Sequence, residues 1–210
     1  MGCGSRDLAL HAGVAMPPVD LQMEAKLLGF AHVFSVSSPA SPMMLPRVLI
    51  FMGVSGCGKT AVGEEVARRS GAHFVDADGL HPPENIAKMS AGIPLTDEDR
   101  EPWLARVALE AKAPGRNVAA CSALRRVYRD RIRREIPDAW FVFLKGSKDL
   151  IFSRISARQG HFMKAGLLDS QLATLEDPTL EDRVLVLPVT GTINQIADAV
   201  FDHFSAHEGT

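Results

Sequence analysis

Short apolar runs and helical stripes alternate along most of this chain. Residues 48–52 (VLIFM) form a β-rich apolar run, followed by glycines. A stretch over 59–70 then places Val62, Val66 and Ala67 on one side at helical spacing. Further apolar runs lie at 73–76, 117–121, 140–144 and 184–187, each bounded by turn or polar residues. Between them, 83–91, 97–112, 124–135, 148–158 and 193–207 read as helices. Strands that are apolar throughout, alternating with helices, predict a parallel sheet covered on both faces. No repeat and no second core is visible, so 47–210 reads as one α/β domain of about 160 residues.

Residues 1–46 follow a different pattern. They hold two basic residues (Arg6, Lys26), three acidic ones (Asp7, Asp20, Glu24), Pro17-Pro18 and a Ser/Pro run from Ser35 to Pro42. The longest apolar stretch, 27–36, is far short of the roughly 20 residues that span a bilayer, so no membrane association is expected. Pro17-Pro18 interrupts any secretory apolar run, and scarce arginine argues against a transit peptide. A myristoylation signal wants Ser or Thr where Arg6 stands. The segment is expected to be a flexible extension, or sequence upstream of a start at Met43 or Met44.

Composition narrows the class. The chain has 210 residues, of which 46% are hydrophobic and 23% charged, as in ordinary globular proteins. A net charge of -2 implies no general attraction to nucleic acid. Cys3, Cys57 and Cys121 form no C-x-x-C pair, which disfavours a disulfide framework and a thiolate zinc site. A reducing compartment, the cytoplasm, is expected.

The sharpest chemical signal follows the first strand. Gly53-Val54-Ser55-Gly56-Cys57-Gly58-Lys59-Thr60 fits G-x-x-x-x-G-K-[ST] at every fixed position, between a predicted strand and a predicted helix. Glycines let successive backbone N–H groups turn inward around a phosphate, and the helix points its positive end at the same anion. Lys59 would reach the β- and γ-phosphates, and the Thr60 hydroxyl would ligate Mg²⁺. Cys57 near a helix N-terminus and Lys59 is either a reactive, low-pKa thiol or simply a small residue that fits.

Three classes share this loop. Asp76-Ala-Asp-Gly79 satisfies the D-x-x-G of a regulatory GTPase, but no Asn is followed by Lys to supply the guanine-reading N-K-x-D. Six arginines between Arg125 and Arg134 could suggest a nucleic-acid-dependent ATPase, yet on a helix they spread around the circumference, and the domain is not basic. A small-molecule kinase fits best.

At this point MGVSGCGKT, DADGLHPPENIAKMSAGIPLTDEDREPWL, CSALRRVYRDRIR, FLKG and RISARQGHF together resemble the short, P-loop type of gluconate kinase, a relative of shikimate and nucleoside monophosphate kinases. The resemblance covers residues 48 to about 203. It departs at Cys57, where Ser is common, and at Arg125-Arg126, where a Lys pair is frequent. It implies a five-stranded parallel sheet of order 2-3-1-4-5 with a small lid, ATP and Mg²⁺ as cofactors, and phosphorylation of D-gluconate on its 6-hydroxyl. It also implies a role in sugar-acid catabolism and a homodimer.

Site residues follow from the residue chemistry and this resemblance together. Asp76 and Asp78 sit at the carboxyl end of a predicted strand, where ligands gather in open α/β sheets. The two carboxylates would divide the labour, one holding metal and the other the attacking hydroxyl, unless both merely cap a turn. Relatives suggest Asp78 serves the acceptor and Asp76 the metal. His81, Lys88, Arg100 and Arg125 supply the cations and donors a carboxylated polyol needs. Trp103 is expected in the core. Arg154 and Arg158 share a helix face, either as solvated charges or, as the resemblance implies, on a lid that neutralises transferred phosphate, with His161 and Lys164 beside them.

Overall fold

The computed structural model describes residues 45–157 and 165–206. The central strand β1 (Val48–Met52) is buried at all five positions. Its alternation divides the core. Leu49 and Phe51 face Val62 and Val66 of α1 (Lys59–Ser70) and Ile196, Val200 and Phe204 of α7 (Ile193–Ser205). Val48, Ile50 and Met52 face Trp103, Leu104 and Val107 of α3 (Asp97–Ala111) and Ile132 of α4 (Arg126–Glu135). One strand thus serves two apolar layers, and this is why its sequence shows no polar face.

The remaining strands are β2 (His73–Asp76), β3 (Asn117–Ala120), β4 (Trp140–Lys145) and β5 (Val184–Pro188). All pairings are parallel, in the order β2-β3-β1-β4-β5, as the resemblance implied. Phe51 and Asp76 both register with Ala120, so the carboxyl ends of β1, β2 and β3 finish level. The packed core also takes in Leu45, which is buried upstream of β1.

Helices α2 (Pro83–Ser90) and α5 (Lys148–Ser156) stand where the pattern placed them. Helix α3 starts at a reciprocal cap between Thr96 and Asp99. Two elements were not expected. A 3₁₀ turn, Ala77–Leu80, follows β2 directly. A further helix, α6 (Ala165–Thr174), precedes β5. Its signal was present in Leu168, Leu172 and Leu175, spaced four and three apart and packed in or against the core, but the sequence just before it offers no Ser, Thr, Asp or Asn to signal a start. No helix among the described residues is long and apolar enough to cross a membrane.

Candidate active site

The loop between β1 and α1 is held in shape by glycine. Gly53, Gly56 and Gly58 have φ of +136°, +82° and +100°, where side chains are strained. A Cβ on Gly56 would lie 2.4 Å from Ile155 Cγ1, so α5 packs directly on the loop's back. Gly58 caps α1 without a side-chain hydrogen bond, leaving the first amides of the helix for an anion. Lys59 Nζ donates to the Val54 carbonyl at 3.0 Å, folding the lysine over the loop. Thr60 is exposed at the first turn of α1.

Cys57 does not have the microenvironment of a reactive thiol. It is fully buried, and burial pushes its pKa above the ordinary thiol value against the lowering pull of Lys59. The simpler reading, a small residue that fits, holds. Cys121, at the end of β3, is pushed up to about 12 by burial; the charges of Asp78, Lys59 and Asp76 all act on it. The loop lysine and the two carboxylates thus stand on the side where β1, β2 and β3 end level.

Asp76 accepts the Asp78 N–H at 3.0 Å and caps the 3₁₀ turn. Asp78 lies in that turn rather than on extended chain, so the turn and not strand alternation sets how the two carboxylates are placed. Trp103 fixes the turn from below. It is buried, as expected of a core residue, but its Nε1–H also donates to the Ala77 carbonyl at 2.7 Å. The His81 ring stacks on it, with centroids 4.2 Å apart and planes 11° from parallel. Burial lowers the His81 pKa below the ordinary imidazole value, with Asp78 opposing and Arg100 reinforcing that shift.

Arg100 and Arg125 flank the Tyr128 ring, their guanidinium carbons 5.5 and 5.6 Å from its centroid. Tyr128 donates its hydroxyl to Asp97 at 2.6 Å, and Asp97 also pairs with Arg125. These hydrogen bonds, Tyr128 first, hold the Asp97 carboxyl below the usual carboxylate range. Arg100 and Arg125 thus share the Tyr128 ring, and the charges of Asp78 and Arg100 both act on His81. Lys88 lies apart from that network: it is ion-paired at 2.7 Å to Asp99, the residue that caps α3.

Arg154 donates to the Val189 carbonyl at 2.5 Å, tying α5 to the end of β5. Arg158, His161 and Lys164 lie outside the described residues. The arginine-rich helix α4 spends much of its charge internally, Arg131 on Glu101 and Arg133 on Glu181. Arg129 is fully buried and pairs with Glu181, while donating to the carbonyls of Ala123 and Leu124 at 2.8 and 3.0 Å. Four residues here escaped the sequence reading: Asp97, Tyr128, Arg129 and Gln171, the last of which accepts the Ser55 N–H at 2.6 Å. Nothing in local spacing marks them, because each acts on a partner from another element.

A parallel sheet of this order, with a glycine-shaped anion loop after the central strand and carboxylates at the neighbouring strand's end, defines a P-loop kinase. No protein-family model matches the chain. It is 43% identical over 167 residues to a gluconokinase of Gluconobacter oxydans, covering 78% of this chain and 94% of that protein. The thermoresistant gluconokinase of Escherichia coli is 45% identical over 148 residues, covering 68% of this chain and 85% of that one. Among solved structures, a gluconokinase from Sinorhizobium meliloti superimposes with a TM-score of 0.72 at 45% identity, covering 77% of this chain and 93% of that one. A shikimate kinase from Acinetobacter baumannii, at 17% identity and a TM-score of 0.55, shares the fold alone. The chain belongs to the gluconokinase family.

Proposed function

We propose that this enzyme transfers the γ-phosphoryl group of ATP to the 6-hydroxyl of D-gluconate, giving 6-phospho-D-gluconate and ADP for sugar-acid catabolism. The bond from the acceptor oxygen to phosphorus forms as the bond to the leaving ADP oxygen breaks. Asp78 accepts the proton of the attacking hydroxyl or orients it. Lys59 and the loop amides neutralise charge on the phosphates, a role that preorganised donors perform without reorganising in the transition state. His81, Arg100 and Arg125, with Lys88 at the margin, recognise the sugar acid. Arg154, joined by Arg158 and His161, serves the transferred group.

Thr60 and Asp76 are the residues that would hold Mg²⁺. The Thr60 hydroxyl is exposed beside the loop, and Asp76 keeps one carboxylate oxygen uncommitted after capping the turn. Mg²⁺ accepts such a sparse protein shell because phosphates and water complete it. When bound, it would neutralise the β- and γ-phosphate oxygens. We further propose that residues 47–210 form the catalytic unit, that it works in the cytoplasm, and that it assembles as a homodimer.

The observation that carries this reading is that Asp78 and His81 follow the end of β2, level with the end of β1 that opens the phosphate loop, while Arg100 and Arg125 meet over Tyr128. These residues offer one carboxylate for a hydroxyl and cations for a carboxylate, which is what a phosphorylatable sugar acid presents. ADP release should be measured with gluconate, shikimate, glycerate and nucleoside monophosphates in turn. Gluconate should be turned over fastest. Faster turnover of a nucleoside monophosphate would overturn the acceptor assignment and leave the phosphate loop standing.

A further inference from the structure

Helix α6 and the turn that follows it touch both halves of the site within six residues. At Gln171 its side-chain oxygen accepts the Ser55 N–H of the phosphate loop at 2.6 Å. At Glu176, just past its end, the backbone N–H donates to the Leu124 carbonyl at 2.9 Å, and the carboxylate accepts the Arg126 N–H at 2.5 Å. The helix cannot shift freely between these contacts, since Leu168 is buried and Leu172 and Leu175 pack against the same core. Gln171 lies three positions after Leu168 and four before Leu175, on the side that faces inward.

The Ser55 contact has a specific chemical character. Backbone N–H groups of such a loop are anion ligands, and a side chain that accepts from one of them controls how the peptide is turned. A carboxylate would make a stronger acceptor, but it would set a negative charge where phosphates must lie. A carboxamide accepts equally well in geometry and carries no charge. The loop is held elsewhere by Lys59 on the Val54 carbonyl and by Ile155 packed at Gly56. Gln171 therefore completes a loop already held at other points.

We propose that Gln171 is a positioning residue for phosphoryl transfer: through Ser55 it holds the phosphate loop in register with the acceptor loop that Glu176 anchors, and it does so as a neutral acceptor so that the terminal phosphate is not repelled. This rests on the loop binding ATP, as proposed above.

Two substitutions separate charge from anchorage. Gln171→Glu keeps an acceptor of the same length, so folding should be intact, with an unchanged melting temperature. The added charge should weaken ATP binding by about tenfold or more, and ADP binding distinctly less, because like charges a few ångströms apart in a half-buried site repel strongly. The defect should shrink as the pH is lowered through about 4.3, the ordinary value at which a glutamic acid becomes half neutral. Gln171→Met removes the acceptor without adding charge. It should lower kcat about tenfold while leaving the acceptor KM within about twofold, the pattern of an interaction realised in the transition state.

Nucleotide affinity is measured by calorimetric titration with Mg²⁺ present, and turnover with gluconate by coupled assay, on the full chain. Failure of the unsubstituted protein to bind ATP would sink the functional reading itself. If it binds and turns over normally, but Gln171→Glu discriminates ATP from ADP as before at every pH, Gln171 has no such role. Equal losses in both variants accompanied by lower melting temperatures would likewise overturn it, leaving a packing contact.

Discussion

The nucleotide side and the proposed acceptor side of this site are built in opposite ways. The nucleotide side is a run of eight consecutive residues whose working groups are backbone amides, shaped by three left-handed glycines and backed by α5. The acceptor side draws its groups from the 3₁₀ turn, α2, α3 and the start of α4, and its charges already have partners. Arg125 is on Asp97, Lys88 on Asp99, and Arg100 on the carbonyls of Leu95 and Thr96. An anion arriving at the loop finds donors in place. A sugar acid arriving at the acceptor side must draw cations away from resident carboxylates or share them. The first arrangement favours rate, because nothing has to move in the transition state. The second favours selectivity, because only a ligand of matching charge repays the exchange.

The largest test of this contrast pairs one residue from each side. Asp78→Asn retains shape and hydrogen bonding but removes the carboxylate, so kcat with gluconate should fall about 10²–10⁴-fold, the range for general-base catalysis. ATP affinity should hardly change. Lys59→Ala should lower kcat about 10²–10³-fold, as for other preorganised electrostatic groups, with a smaller loss of nucleotide affinity since the loop amides remain. Titration of ATP and turnover at saturating nucleotide distinguish the two. If Asp78→Asn lost nucleotide affinity and kept turnover, Asp78 would belong to the metal and Asp76 to the acceptor.

The next test undermines one side only. Arg129 joins the loop after β3 to Glu181, and its loss would leave Glu181 with Arg133 alone and the buried Ala123 carbonyl without this donor. Breaking a buried pair costs about 3–5 kcal/mol, so Arg129→Met should lower the urea midpoint sharply. In the protein that stays folded, the acceptor KM should rise while ATP affinity holds. Burial pushes the Glu181 carboxyl up, but hydrogen bonds from Arg129 and Arg133 outweigh it and hold the group below its ordinary value. A lowered folded-state value means stability that is present above about pH 4.5 and lost as pH falls through the folded value. That acid sensitivity should diminish in Arg129→Met.

This asymmetry also decided what the sequence revealed. Eight residues at fixed spacing are enough to specify a backbone cradle, and the alternation within β1 is enough to specify two core layers, so both were legible. The carboxylates and cations of the acceptor side were nameable by type, but not their partners, because Tyr128 meets Asp97 and Arg129 meets Glu181 across 31 and 52 positions. The 3₁₀ turn was missed because Asp76 reads as strand, whereas its side chain ends the strand by capping Asp78. Helix α6 was missed because its apolar stripe is short and the sequence just before it offers no Ser, Thr, Asp or Asn to signal a start.

Within the acceptor side, Lys88 and Arg100 should part company. Lys88 is held by a carboxylate that caps α3, and a half-exposed pair of this kind contributes about 0–1 kcal/mol. Lys88→Met should therefore move the acceptor KM less than about threefold, equivalent to under 1 kcal/mol. Arg100 is held by carbonyls, which do not neutralise its charge, and it lies over Tyr128 beside His81. Arg100→Met should raise the acceptor KM about tenfold, or roughly 1.4 kcal/mol. Steady-state kinetics with gluconate as the varied substrate give both values. A larger effect at Lys88 would mean that Asp99 releases it to the substrate, and that the two cations trade places.

The smallest expected effect is no effect. Cys57 lies in the phosphate loop and Cys121 directly after β3, at the start of the segment that leads to Arg125, so the pair reports on the two sides separately. Burial raises both thiols above their ordinary value of 9.0, Cys121 to about 12. The thiolate is the nucleophile, and a raised folded-state value keeps it protonated through neutral and mildly alkaline pH. The same sign makes folding lose stability as pH climbs above about 9, where the unfolded thiols release protons that the folded ones retain. In a Cys3→Ser chain, iodoacetamide at pH 8 should label neither cysteine in the native protein and both in denaturant, read by intact mass. Labelling of Cys121 alone would show the acceptor side opening, as its exchangeable ion pairs permit. Labelling of Cys57 alone, suppressed by ATP, would mean that the loop opens on its own, and the contrast between a fixed nucleotide side and an adaptable acceptor side would fail.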